Sequence, residues 1–176
     1  MASQSLGPAA LKNLVDELQG ALNTIAAKSE NSADAQAASE GVEQINALKV
    51  KLASVVESQF VAAVDQMSQR AFANAQAKGF WPEGYTPTAA PNAGRNDGEV
   101  ISLMHSECSE LLEAYRNEDV PQSRKIPGYT LAEEELADLV LRALDYAASR
   151  KIRLGEAILA KHAYNLSRPY KHGRRF

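Results

Sequence analysis

Cysteine is almost absent from this sequence: Cys108 is the single one among 176 residues, which excludes a disulfide bond within the chain. Helical spacing places this thiol on an apolar stripe, so we expect it to pack in the core of a protein from a reducing compartment. The sequence also lacks an apolar run of about 18 residues and a basic-then-apolar leader. These absences predict a cytoplasmic protein with neither a membrane span nor a secretion signal.

Aromatic residues make up only 6% of the chain, and the alternating apolar pattern typical of β-strands is missing. Alanine is abundant, and apolar residues recur at helical spacing. The sequence therefore predicts an all-α protein. Its length suits one domain of ordinary size, or a smaller domain with an extension.

The N-terminal part of the chain predicts two helices. Residues 8–28 form an amphipathic pattern, whereas residues 29–40 are polar and precede Gly41, so we interpret them as a linker. A long helical run follows over residues 42–77. Together these segments predict an antiparallel helical hairpin that covers a core or mediates oligomerisation, with no visible chemistry.

Two stretches containing proline and glycine interrupt the helical pattern, over residues 79–97 and 118–129. The first carries Phe80 and Trp81, which we expect to plug the end of a helical core; stacking on a nucleobase is the alternative, and long loops are often functional. A last helix is predicted over residues 154–166.

Carboxylates occur at helical spacing in two segments: Glu107 with Glu110, and Glu135 with Asp138. A separation of three residues puts both side chains on one face, roughly 5–6 Å apart. Thr130 and Glu133 predict a capping box that begins the second of these helices.

Glu107 and Glu135 each border the apolar stripe of their helix. Glu110 shares its side of the first helix with Leu103 and Ala114, and Asp138 faces the same way as Arg142 and Asp145. Packing of the two helices would therefore bring the four acids to a half-buried seam. Four carboxylates form the hard oxygen ligand set that Mg²⁺ or Mn²⁺ prefers. Two solvated acidic faces remain an equal alternative on the residues alone. The stripes comprise Ile101, Met104, Cys108, Leu111, Leu112 and Tyr115 in the first helix, and Leu136, Leu139, Val140, Ala143 and Ala147 in the second.

Charge is distributed unevenly along the chain. Residues 150–176 carry eight Lys or Arg against one acid, whereas residues 99–138 carry ten acids against three bases. On the last helix Lys161 and Asn165 share a face, with Arg168 close by, and this set suits phosphate oxygens and a sugar hydroxyl. A solvated basic face is an equal alternative. Nucleic-acid binding is disfavoured by the acidic pI.

Four segments together resemble the MazG-like branch of the all-α NTP pyrophosphatases. They are residues 72–81, His105 to Glu110, Glu134 to Asp138, and residues 161–173. The resemblance covers residues 66–176 and leaves residues 1–65 as an N-terminal helical extension. It implies a helical-bundle fold, dimeric or tetrameric assembly, and Mg²⁺-dependent hydrolysis of (d)NTPs to the monophosphate and pyrophosphate, with Mn²⁺ as a substitute.

The resemblance also implies residue roles. Its metal-binding and catalytic positions correspond to Glu107, Glu110, Glu135 and Asp138, and among these Glu110 is expected to orient the attacking water. Its substrate contacts correspond to Lys161, Asn165, Arg168 and Lys171, to which we add Trp81 as a candidate for the base. Arg142 stands where some relatives have an aromatic residue, which is a departure from the pattern.

Small phage-type members of this family include enzymes that favour guanine deoxynucleotides, so dGTP is an expected substrate and the host cytoplasm an expected location. A related pyrophosphatase acting on phosphoribosyl-ATP and a non-catalytic helical scaffold are the alternatives. A carboxylate-bridged di-iron bundle is excluded because it requires Glu-x-x-His pairs. Three residues before the histidines stand Ser102, Leu159 and Pro169.

Overall fold

The computed structural model describes residues 8–28, 32–116 and 119–170. Regular structure in these ranges is helical, apart from an isolated β-bridge between Gln122 and Thr130, so the expectation of an all-α protein is confirmed. The helices are α1 (Pro8–Lys28), α2 (Ser32–Ala77), α3 (Asp97–Ala114), α4 (Leu131–Ser149) and α5 (Leu154–Leu166). None of these described helices has the length and apolar character needed to cross a bilayer.

The chain divides between Phe60 and Val61 into two compact units. In the first unit, the predicted linker over residues 29–40 is wrong from Ser32 onward, because these residues begin α2; residues 29–31 lie outside the described ranges. Alanine and glutamine in this segment favour helix strongly enough to outweigh its polarity. Gly41 lies inside α2, where a Cβ atom would be 3.0 Å from Cδ1 of Leu22 on α1, so its role is close helix packing.

The second unit contains the loop between α2 and α3, which is held against the end of α4. The buried Arg150 guanidinium donates hydrogen bonds to Asp97 and to the Tyr85 hydroxyl, at 2.7 and 2.6 Å. Gly94 adopts a φ of 71°, and a Cβ atom there would lie 2.4 Å from the Tyr85 ring. Only glycine satisfies both conditions, so the loop path depends on this position.

Trp81 and Phe80 differ in their environment. Trp81 is 2% exposed and stacks on Tyr85, with the ring centroids 4.9 Å apart, so it plugs the core as expected. Its indole N–H donates to Asp145 Oδ1 on α4 at 2.9 Å. Phe80 is instead 55% exposed, and the expectation that it plugs the core is wrong. It follows Gly79, whose φ of 79° turns the chain at the end of α2.

α3 and α4 pack against each other, but not through the whole of the predicted apolar stripes. On α3 the buried positions are Val100, Glu107 and Ala114, which recur every seven residues on the neighbouring side of the helix. The exposed positions include Ile101, Cys108 and Leu112 on α3, Tyr115 directly after α3, and Leu136 and Val140 on α4.

The expectation that Cys108 packs in the core is therefore wrong, since α4 covers a different side of α3. Helical periodicity identifies an apolar stripe but does not say which element covers it. An exposed apolar stripe on paired helices is typical of an interaction surface.

Candidate metal centre and adjoining cavity

The starts of both acidic helices are defined by side-chain caps. Asn96 Oδ1 accepts a hydrogen bond from the Glu99 backbone N–H at 3.1 Å. At α4, Thr130 and Glu133 form the predicted capping box, in which Glu133 Oε2 accepts from the Thr130 N–H at 2.7 Å. The hydrogen bonds that Glu133 accepts from Thr130 lower the pKa of Glu133, and the capping box fixes the register of the acids that follow on α4.

Three of the four predicted acids lie together at the α3–α4 contact. Glu107, Glu135 and Asp138 each offer a carboxylate oxygen, and these oxygens lie within 4.8 Å of one another. Glu107 and Glu135 are each 4% exposed, and Asp138 is half-buried. Three hard oxygen donors at this separation form a geometry suited to a divalent cation such as Mg²⁺ or Mn²⁺.

Glu110 lies outside this group of three. It is exposed on α3, so the predicted cage of four equivalent acids becomes a cluster of three with Glu110 at its border. Its charge nevertheless reaches the cluster, because it contributes to raising the pKa of Glu135. As an exposed carboxylate beside the acid cluster, Glu110 retains access to solvent water.

Glu135 is the least satisfied member of the cluster. Its Oε2 is buried and has no hydrogen-bond partner among the described residues. Burial raises the pKa of this carboxyl first, and repulsion from Glu110 raises it further. A buried carboxylate oxygen without a donor is costly, and a cation would supply the missing interaction.

The two neighbours of Glu135 in the acidic run have other tasks. Glu133 caps the helix, as described above, whereas Glu134 holds the 119–130 loop. Glu134 accepts a hydrogen bond from Ser123 and pairs with the Lys125 ammonium at 2.5 Å. These two contacts lower the pKa of Glu134, with Lys125 the stronger cause. Of the three consecutive glutamates, only Glu135 therefore faces the cluster.

Arginine partly compensates the negative charge. Arg142 Nε lies 2.5 Å from Glu107 Oε1, and the side chain also borders a cavity of about 220 Å³ beside the cluster. Asp138 belongs to the acid cluster and also lines this cavity. The polar and aromatic lining comprises Asn74, Phe80, Arg95, Asp138, Arg142 and Asp145.

The predicted substrate contacts lie elsewhere. Lys161 and Asn165 are exposed and line a shallow groove on α5, and Lys161 Nζ is 4.6 Å from the Tyr164 ring centroid. Arg168 contacts the same ring at 5.8 Å. None of these three is among the residues that line the cavity beside the acids. Lys171 lies outside the described residues.

Trp81 requires a correction. Its ring is covered by Phe72, Tyr85 and Arg150, so it offers no face on which a base could stack. Its role is structural: it packs on Tyr85 of the loop and bonds to Asp145, which lines the cavity. Phe80, which was expected to be buried, is the aromatic side chain that borders the cavity.

Several cavity residues were not identified as site candidates from the sequence. Arg142 and Asp145 follow Asp138 at helical spacing on the same side of α4, and this spacing was a usable signal. Arg95, which lines the cavity, comes from a loop, where sequence periodicity provides no such signal, and the same holds for Lys125 outside the cavity. The charges of Glu135 and Asp138 act on Lys125, which places this exposed ammonium near the cluster.

Comparison of this chain with family models, curated proteins and solved structures gives no match. The resemblance to MazG-like enzymes thus remains an interpretation of the motifs, and the geometry described above is the independent basis for a functional proposal.

We expect Glu135→Gln to raise the melting temperature of the metal-free protein at neutral pH, because the amide removes a buried negative charge. The pKa of this carboxyl is higher in the folded than in the unfolded state. Below the ordinary glutamate pKa, ionisation therefore costs no stability, and the cost grows as the pH rises from that value through the folded-state pKa. Each kcal/mol of relief corresponds to about 2–4 °C in a chain of this size. Thermal unfolding by circular dichroism measures the shift.

The gain from Glu135→Gln should disappear at about pH 3, where the glutamate is protonated in both states. Glu113→Gln, which changes an exposed acid on α3, is the matched control and should leave the melting temperature nearly unchanged at both pH values. A Glu135→Gln protein that melts at the wild-type temperature at neutral pH would contradict the electrostatic account.

Proposed function

We propose that the protein is a metal-dependent pyrophosphohydrolase that converts (d)NTPs to the monophosphate and pyrophosphate, and that it belongs to the MazG-like family. The observation that carries this proposal is the unpartnered, buried Glu135 oxygen within a three-carboxylate cluster, of which one member, Asp138, also lines a cavity bearing two arginines. A metal–triphosphate ligand needs both features, because the carboxylates match the cation and the guanidinium groups match the phosphate oxygens.

The cluster fits Mg²⁺, with Mn²⁺ as a substitute, through Glu107, Glu135 and Asp138. When bound, the ion supplies Lewis-acid neutralisation of phosphate charge and lowers the pKa of a bound water. These ligands belong to two helices, so the ion would also tie α3 to α4.

Glu110 is the proposed proton acceptor, a role supported by its exposure on α3 and by the effect of its charge on Glu135. In the proposed reaction, a water oxygen bonds to the α-phosphorus while the bond from that phosphorus to the bridging oxygen breaks. Glu110 accepts the proton of the water, and pyrophosphate leaves. Charge that develops on the leaving oxygens is stabilised by the guanidinium groups of Arg142 and Arg95, which border the cavity.

The predicted contacts of Lys161, Asn165, Arg168 and Lys171 with phosphate and sugar rest on the resemblance. The three described members of this set lie on or just after α5. We retain them as proposed contacts. They would reach the nucleotide from a neighbouring copy of the chain, or within the same chain when the nucleotide binds. The resemblance to phage-type members adds dGTP as the favoured substrate.

Self-association is part of the proposal, with a second copy as the occupant of the exposed stripe on α3 and α4. Leu112 is 60% exposed, and Ile101 and Tyr115 lie on the same stripe. A two-fold pair uses the same patch on both subunits, and an apolar stripe of this kind is self-complementary. The resemblance supports the same assembly, because it implies a dimer or tetramer.

The function is tested by incubating the protein with Mg²⁺ and each common NTP, dNTP and phosphoribosyl-ATP, with pyrophosphate release as the measurement. We expect Glu110→Gln and Asp138→Asn each to lower turnover at least about a hundredfold, the scale of a lost general base or metal ligand. Their helical circular dichroism should remain that of the wild type.

Glu113→Gln is the control for this assay as well, since its side chain is exposed and pairs with Arg116. Wild-type turnover in the Glu110 and Asp138 variants would refute the assigned roles. No pyrophosphate from any nucleotide would leave a helical scaffold as the better description, and turnover of phosphoribosyl-ATP alone would reassign the substrate.

Assembly is tested with Leu112→Lys, which places a charge in the exposed stripe and should shift the protein from an oligomer to a monomer. Sedimentation velocity of the full chain measures this change. Glu113→Gln, which alters the adjacent residue by the same one unit of charge, should leave the oligomer intact. A wild-type protein that sediments as a monomer at all concentrations would contradict self-association.

A further inference from the structure

A second cavity, of about 360 Å³, lies between α2 and the turn that joins α4 to α5. It shares no lining residue with the cavity beside the acid cluster, and the proposed function does not use it. Sites for small molecules are of this kind, mostly apolar with a few polar groups. The apolar lining comprises Val61, Phe72, Pro87, Ala147, Ala148 and Ile152.

Close packing of α5 on α2 forms the walls of the second cavity. Gly155 allows this approach, since a Cβ atom there would lie 3.0 Å from Cα of Val61. Because the walls contact each other directly, the second cavity is preformed and a ligand does not have to open it.

Ser68 is a buried polar residue of the second cavity. It is 5% exposed, and its hydroxyl forms no hydrogen bond with the described part of the chain. A helical serine commonly bonds to a carbonyl of its own helix, as Ser106 Oγ does by donating to Leu103 at 2.7 Å. A buried hydroxyl without a partner is costly, and a polar ligand in the second cavity would supply the missing hydrogen bond.

The turn on the opposite wall carries a lysine in an unusual backbone conformation. Lys151 follows α4 with a φ of 54°, in the left-handed region where helices commonly end with glycine. A lysine is retained here at a steric cost, which points to a use of its side chain. α5 begins shortly afterwards, and Arg153 makes no side-chain hydrogen bond to its first turn. Lys151 and the uncapped start of α5 together favour an anionic group.

The charges of the second cavity balance in a way that restricts the ligand. Arg153 and Glu156 pair with each other at 2.9 Å. Asp65 on α2 and Lys151 on the turn remain, and neither forms an ion pair with another described residue. An anion alone would be repelled by Asp65 and a cation alone by Lys151, whereas a zwitterion matches both charges.

We propose that the second cavity binds a free α-amino acid with an apolar side chain. The carboxylate of the ligand accepts hydrogen bonds from Lys151 and the first turn of α5. Its ammonium donates to Asp65 and to the Ser68 hydroxyl, which lie three residues apart on one face of α2. Its side chain packs on the apolar lining.

The ligand class is tested by isothermal titration calorimetry of the full chain with L-leucine. Three analogues each lack one of its parts: isocaproate lacks the ammonium, glycine lacks the apolar side chain, and L-leucinamide lacks the carboxylate, as the N-terminal residue of a peptide does. We expect each to bind at least about tenfold more weakly, the scale of one lost charge-assisted contact or buried side chain. Absence of saturable L-leucine binding, or an analogue that binds equally well, would overturn the proposal.

Lys151→Gly separates a binding role from a structural one. Its affinity for L-leucine should fall at least about tenfold. Its melting temperature should equal or exceed that of the wild type, because glycine adopts a positive φ without steric cost. Lys78→Gly removes the same side chain at an exposed position of the same unit and should leave the affinity unchanged. Wild-type affinity in Lys151→Gly would overturn the assignment.

Ser68→Ala is a second variant with opposite expected effects on binding and stability. The affinity for L-leucine should fall at least about threefold, while the melting temperature should not fall, because the hydroxyl forms no hydrogen bond with the described residues. Ser109→Ala, on the exposed side of α3, is the matched control and should bind as the wild type does. Unchanged affinity in Ser68→Ala would contradict the proposed contact.

The fluorescence of Trp81 locates the ligand without a variant. Phe72 lines the second cavity, and its ring centroid lies 5.8 Å from that of Trp81, the single tryptophan of the chain. L-Leucine should therefore change this fluorescence with the same midpoint as the calorimetric titration. Heat of binding without a fluorescence change would place the ligand elsewhere and overturn the assignment to the second cavity. None of these measurements depends on nucleotide hydrolysis.

Discussion

The second unit is organised around like charges that are forced together by helix packing. Glu107, Glu135 and Asp138 place carboxylate oxygens within 4.8 Å of one another, where each ionised pair repels by about 3.5 kcal/mol at an effective dielectric of about 20. Arg142 offsets part of this cost through Glu107, but the buried Glu135 oxygen has no such partner among the described residues. Contacts between α3 and α4 must therefore compensate for an interaction that a divalent cation would reverse in sign.

Position along α4 gives chemically similar acids different properties. Glu133 accepts backbone hydrogen bonds at the start of the helix, and Glu134 is paired with Lys125, so the pKa of each is lowered. Burial raises the pKa of Glu135 and of Asp145; of these two carboxylates, only that of Asp145 accepts a hydrogen bond from a described residue. α4 thus carries two acids with structural roles, Glu133 and Glu134. Two further acids, Glu135 and Asp145, belong to the acid cluster and to the lining of the cavity beside it, respectively.

Local sequence signals predicted the bounds of α1 and α5, the capping box and the gathering of three acids, because these depend on contacts within a few residues or on one helix pairing. The same signals failed for Cys108 and Glu110, whose burial depends on which face of α3 the partner helix covers. They also missed Arg95, since only the loop anchored by Arg150 brings this residue to the cavity.

The most direct measurement is anomalous scattering from crystals soaked in Mn²⁺, because it tests convergence of the acids on an ion without assuming a substrate. The account predicts a manganese peak bonded to carboxylate oxygens of Glu107, Glu135 and Asp138, with the Arg142 guanidinium displaced from Glu107 or sharing it. Crystals in which these carboxylates point apart into solvent, with no peak between them, would contradict the metal centre and the enzymatic function built on it.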